Sequence, residues 1–518
     1  MRRVRNAYEF KPGTQVEMLL ELQLAIKEEC ERLSFKPGSD EYEAMHECVV
    51  GFDGMGIKDG VVTNRYGGDV TGIQEMADLV DFSKSKLKMW EESELKLAKE
   101  CMQLMATTLD GKFRVPFAYY LLKTATTGII TEMVDQAIVS LDKIGLCVRV
   151  VVCDGASFHR AWQESVLEFT DESGIWGGDA NAKSFKVAMK HPLYPDRADR
   201  RIFVISDPVH LIKKAVENLH SSGDTPKHTK RLSRGGERLN WDIFKQAWHA
   251  DQVQPPGAWL APKVTRDHIE RTSFTRLKTK FSTQLLSRSM QRCVKAYTHA
   301  QPVTQMLRYM ELFDNYIDIM NSGRWRREWS GNREYLTTPI TDMKDRRISE
   351  LISMVQWFDG WFEENEELPA NTPADKKERF ISRELYFDIR LAIRGFVAFC
   401  GHQLKARPGS PIIPRLYNQD CVEGYFGMMR ASGGEETHMT ALSIEHSQAA
   451  AWVQTGHGGM LPKSSSGTAN SNVTADHNAV DQRQIVAKTG TVVKREIAES
   501  QQRGRDLAKR FKIKITDD

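Results

Sequence analysis

No two of the eight cysteines stand at CxxC spacing and no Cys/His cluster has zinc-finger spacing, which argues against a structural zinc site and for reduced, mostly buried thiols. No stretch reaches the roughly 18 apolar residues of a membrane span, and the basic start MRRVRNAYEF leads into no apolar signal-peptide core. The expectation is a soluble, intracellular chain with no membrane partner. A GxxxxGK[ST] loop is also missing, which excludes a Walker-type nucleotide site. Neither sign of charge is in excess: 72 Lys and Arg against 69 Asp and Glu leave +3, too little over 518 residues to argue for nucleic acid, so any such footprint must be local. What remains is an ordinary globular balance, 41% hydrophobic and 27% charged, on a chain long enough for about two to four domains.

Hydrophobic periodicity divides the chain. Val16, Leu19, Leu20 and Leu24 recur at helical spacing, so 15–33 reads as an amphipathic helix. ECVVGFD, GVVTNRYGGDVTG and CMQLMATTLDG read as three strands of a meander. A helix over 124–144, the apolar strand VRVVVCD, a helix from 157, the strand RIFVISD and a helix from Pro208 follow, giving the order β-β-β-α-β-α-β-α. In a mixed sheet of this order the first and fourth strands commonly lie side by side, which would bring Asp53 and Asp154, each at a strand end, together. Two such carboxylates can share a cation; the competing reading is a pair of acidic turn positions.

From 220 to 415 a largely helical stretch interrupts this pattern, with a surface loop at 367–378 and an extended connector at 405–414. LYNQDCVEGYFGMMRASGG then reads as a helix with Asp420 and Glu423 on one side. PKSSSGTANSNVTADHN reads as a flexible linker and the last segment as a basic tail. Asp207 before Pro208 is expected to cap a helix, with Lys213 and Lys214 exposed on it. RLKTK at 276–280 and GRWRREW at 323–329 concentrate positive charge.

Four motifs, in order, resemble those of the P-element-type transposases, the group that includes the THAP-domain transposase-like proteins of animals: CVVGFDGMGIKDGVVTNRYGGDVTG, VRVVVCDGASFHRAW, FVISDPVHLIKKAVENL and NQDCVEGYFGMMRASGG. Gly54 stands where that family has Glu, and His159 where Asn is usual. The resemblance implies an α/β fold of the ribonuclease-H-like, retroviral-integrase type, a mixed sheet interrupted by a large, mostly helical insertion. It divides the chain into an N-terminal helical segment (1–45), the first part of the catalytic domain (46–219), an insertion of GTP-binding type (220–415), the last catalytic helix (416–445), and the linker and tail (446–518).

By that resemblance the protein is expected to be a DDE-type, metal-dependent DNA transposase. It would cleave phosphodiester bonds at transposon ends and transfer the strand into target DNA, in the nucleus, with assembly of several copies allowed. Asp53, Asp154 and Glu423 would be the catalytic and metal-binding set and Asp420 a further metal position, holding two Mg²⁺ or Mn²⁺ ions. IDIMN resembles the family's guanine-binding element, which implies a GTP site at Ile317, Asp318 and Asn321, with Ile317 in place of an aromatic ring. An N-terminal zinc finger is not expected. The alternative is a catalytically inactive or host-adopted derivative that acts as a DNA-associated protein, and a structure-selective nuclease is the runner-up enzyme class.

Overall fold

The computed structural model describes residues 10–58, 62–63, 70–71, 97–176, 184–255, 257–299, 302–323, 334–369, 373–432 and 439–454. Ten strands concern the site: β1 (Gly13–Thr14), β2 (Glu47–Gly56), β3 (Val62–Thr63), β4 (Val70–Thr71), β5 (Glu100–Thr108), β6 (Arg114–Leu122), β7 (Cys147–Cys153), β8 (Phe169–Thr170), β9 (Lys186–Met189) and β10 (Ile202–Ser206). Eight of them form one mixed sheet in the order β1-β6-β5-β2-β7-β10-β9-β8, in which β2, β7 and β10 run parallel. The first and fourth expected strands, β2 and β7, are neighbours, as the element order implied.

Two expectations need correction. GVVTNRYGGDVTG does not supply the second strand of the meander: of it, only β3 and β4 are described, and they pair with each other in a separate two-stranded sheet. The meander is instead β2, β5 and β6, and β6 had not been foreseen. The second half of the 367–378 segment is also not loop but a helix, Pro373–Arg379. GRWRREW beyond Gly323, the linker and the basic tail lie outside the described residues.

The apolar central strands are buried on both faces, and their alternation assigns residues to two cores. Val150, Val152, Phe203 and Ile205 enter one, while Val151, Cys153, Ile202 and Val204 enter the other. The second core is closed by α1 (Val16–Arg32), α2 (Thr127–Lys143) and α3 (Ser157–Val166) through Leu22, Ile138 and Trp162. The first is closed by α4 (Pro208–His220) and by helices of the later region, including α5 (Arg288–Tyr297), α6 (Thr304–Met320) and α7 (Arg383–Ala406). The last of these, α7, lies directly on β10: a Cβ at Gly395 would stand 3.3 Å from the Val204 carbonyl carbon, so only glycine permits the approach. Back on the opposite face, α8 (Asp420–Ser432) buries Val422, Tyr425, Phe426 and Met429 against β2 and β5.

Candidate active site

Asp53 lies on β2 beyond the last residue paired with β7, and Asp154 directly follows β7. The register Gly51↔Val152 carried two residues on sets Asp53 opposite Asp154, and aligned residues on parallel strands share a sheet face. Glu423 sits in the first turn of α8. His210 of α4 is central to them: its Nε2 is 4.0 Å from Glu423 Oε1, and its charge acts on both Asp53 and Asp154. The structure thus brings Asp53, Asp154 and Glu423 into one electrostatic neighbourhood from three separate parts of the chain. Asp420 joins it through Glu423 and Asp207.

Hydrogen bonds to the backbone hold the three segments. The buried side-chain amide of Gln419 donates to the Phe52 carbonyl, one residue before Asp53, and its backbone N–H donates to Asp207 Oδ1 at 2.9 Å. The Asp207 N–H donates in turn to the Cys153 carbonyl at 2.9 Å, one residue before Asp154. Asp207 Oδ2 caps α4 by accepting from the His210 N–H at 2.9 Å, as expected of a residue preceding an N1 proline, and it also lies 2.9 Å from His210 Nδ1. One carboxylate therefore caps a helix, orients the histidine and anchors the approach to Glu423.

The turn after β7 is held from the other side. Asp154 Oδ1 accepts from the Ala156 N–H at 2.9 Å and is hydrogen-bonded to His159 Nδ1. The Gly155 carbonyl accepts from Lys214 Nζ at 2.6 Å and from Arg160. Both cations converge on the buried Asp388 of α7, at 2.8 and 3.3 Å. Lys214 is therefore not the exposed basic residue expected from sequence. A Cβ at Gly155 would lie 2.8 Å from Asp388 Cγ, so a larger residue there would have to push the Asp388 and Lys214 side chains aside.

Charge in this cluster is unevenly shared. Burial and the neighbouring Asp154 push the Asp53 carboxyl up to about 7, against the opposing pull of His210. Burial, Asp207 and Glu423 raise Asp420 to about 6. Asp154 goes the other way: burial would raise it, but the His159 hydrogen bond and charge hold it below the usual carboxylate range. Burial would likewise depress His210, yet the Asp207 carboxylate raises it.

Sequence reasoning missed Glu100. It projects from β5 over Gly54, where a Cβ would come within 2.9 Å of its Cδ, and its carboxyl is raised by burial first and by Asp154, against the pull of His159. Asp388 was also missed, and Gln419, although part of the NQDCVEGYFGMMRASGG motif, was given no role, since each acts by a contact across more than 170 residues. The guanine-site candidates sit elsewhere, at the end of α6. Ile317 is 8% exposed and packs in the core, Asn321 Nδ2 donates to the Ile317 carbonyl at 2.9 Å, and Asp318 is half-buried.

The mixed sheet with helices on both faces and carboxylates just past the mutually paired residues of adjacent parallel strands is of the ribonuclease-H-like class, and residues 10–165 match the family model described as TNP-like, RNase H N-terminal domain. In sequence the chain is 24% identical over 313 residues to the Transposable element P transposase of Drosophila melanogaster, covering 59% of this chain and 35% of that protein. The matched stretch thus spans about a third of that relative's length. In fold it is similar to the Drosophila P element transposase strand transfer complex, with a TM-score of 0.63 at 17% identity over 88% of this chain and 85% of that one. The chain is thus similar to a P-element transposase over part of its sequence and, at low identity, in fold.

Proposed function

We propose that the protein is a DNA transposase of the P-element type, cleaving phosphodiester bonds at transposon ends and transferring the strand to target DNA. The observation that supports this reading is that Asp53, Asp154 and Glu423 each act electrostatically with His210, on segments tied together by Gln419 and Asp207. A turn full of acids at the start of α8 would be accounted for by its dipole alone. The same helix bound through Gln419 to the strand that carries Asp53 is not accounted for that way.

Oxygen donors of this kind suit hard cations such as Mg²⁺ or Mn²⁺, which when bound activate water or a terminal 3′-hydroxyl and stabilise the leaving oxygen. Asp53, pushed up by burial first and then by the neighbouring Asp154, adds like-charge crowding that such an ion would relieve. Asp53, Asp154 and Glu423 would hold the ions, with Asp420 a further ligand. The chain's own residues supply the rest: His159 fixes the Asp154 carboxylate, and His210, oriented by Asp207, presents Nε2 to the space beside Glu423. This reading carries with it a nuclear location and an assembly of copies on DNA.

One observation favours a second reading, an inactive derivative that keeps the fold and associates with DNA. Among the described residues no three His, Cys, Asp or Glu groups stand at metal-ligand spacing, and one oxygen of Asp154 is spent on His159. Cleavage assays on duplex DNA with Mg²⁺ or Mn²⁺ decide between them. Activity is expected in the unaltered chain and is lost in Asp154→Asn and Glu423→Gln; equal activity in all three rejects the assigned site, and none in any rejects the enzyme.

A guanine-nucleotide site at Asp318 and Asn321 is proposed only as a weak one. Its apolar partner Ile317 is committed to the core and the Asn321 amide to its own helix.

A further inference from the structure

Between Glu270 and Glu311 the chain carries eight Lys and Arg residues and no Asp or Glu, in a molecule whose formal charge is only +3. Half of the eight are neutralised by carboxylates. Arg271 and Arg276 meet Glu217 at 2.6 and 3.7 Å, Arg288 meets Asp314 at 3.6 Å, and Arg308 meets Glu311 at 2.7 Å. Lys278, Lys280, Arg292 and Lys295 are exposed and have no ion-pair partner among the described residues.

Their arrangement is set by the helices that carry them. In α5, Met290, Cys293 and Val294 are buried, while Arg288, Arg292 and Lys295 recur at i, i+4 and i+7 on the outward face. At about 1.5 Å per residue this stripe is about 10 Å long. One DNA strand rises about 3.4 Å per phosphate, so it presents about three phosphates over that length.

The helix Thr279–Leu286 packs against both α5 and the short helix Ser273–Arg276. That short helix and the turn after it expose Phe274 at 65% and Leu277 at 74%, with Lys278 Nζ 4.2 Å from the Phe274 ring centroid. A solvated charged face has no use for two bare apolar side chains among its lysines. A surface that lies against a nucleic acid does, because base and sugar edges alternate with phosphates.

We propose that the basic face of residues 271–295, a stretch with no acid of its own, is a docking surface for duplex DNA: Arg292 and Lys295, in line with the Asp314-paired Arg288, follow one phosphate strand, and Lys278 and Lys280 flank the apolar contacts of Phe274 and Leu277. The surface is separate from the carboxylate site, and it rests on the DNA-acting reading above only for the choice of DNA as the polyanion. Its contacts fix position without reading sequence.

Equilibrium binding of a fluorescent duplex to the full chain over a salt series tests it. R292E/K295E and K278E/K280E are each expected to weaken binding at least about tenfold at 0.1 M salt and to flatten the log K against log salt slope by about 2. The exposed pair K227E/K344E, outside the stretch, is expected to leave both unchanged, and unaltered thermal midpoints establish that all variants are folded. Wild-type affinity and slope in both reversal variants overturn the proposal, as does a failure of the unaltered chain to bind duplex. Absence of divalent-dependent cleavage with these binding effects intact overturns the catalytic reading alone.

Discussion

Asp53 binds its proton more tightly in the folded chain, at about 7, than an unfolded aspartate does at about 4. Its contribution to stability is therefore fully present below about pH 4 and is lost as pH rises through about 7. Asp420, raised to about 6, acts in the same direction, and Asp154, held low by His159, acts in the opposite one, its share being lost as pH falls. A divalent cation must displace the Asp53 proton, so Mn²⁺ is expected to raise the melting temperature more at about pH 8 than at about pH 6. Equal shifts at both, or a shift kept in full by Asp154→Asn, would contradict this. Asp388→Asn should cost about 1–3 kcal/mol, because Lys214 and Arg160 lose the one anion they share. An unchanged denaturant midpoint would show that the clamp on Gly155 contributes nothing.

Gln419 joins a helix to a strand, so its removal should act on alignment more than on folding. Gln419→Met keeps the bulk and deletes the amide that reaches the Phe52 carbonyl. Cleavage is expected to fall by tenfold or more for a stability loss of about 1 kcal/mol, and a parallel fall in both would mean the contact is merely structural. Elements with a plain pattern were legible in the sequence: α1, α2 and the strands carrying Asp53, Asp154 and Asp207 lie within a few residues of their expected bounds. β6 was not legible, because Pro116 speaks against a strand. The register shift between Leu104 and Ala106 explains how it is tolerated: two residues, Pro116 and Phe117, oppose Met105 in a β-bulge that asks no ladder hydrogen bond of the proline. Glu100 was not legible either, since its place above Gly54 is set by pairing across the sheet.

The sheet serves both cores, so at the scale of the molecule the helical region and the carboxylate-bearing strands should melt together. Trp162 reports on one core and Trp241 and Trp361 on the other. Unfolding followed by tryptophan fluorescence and by far-ultraviolet circular dichroism is expected to give coincident transitions, and two separated steps would mean that α7 does not couple the halves. There is also an order in time. A ribosome releases the strands bearing Asp53 and Asp154 long before α8 with Glu423, and until then the sheet lacks the cover of Val422, Tyr425, Phe426 and Met429. A nascent or prematurely ended chain thus holds two of its three acids and an uncovered apolar face, so on the proposed reading any competence to cut DNA would arrive only once α8 has emerged.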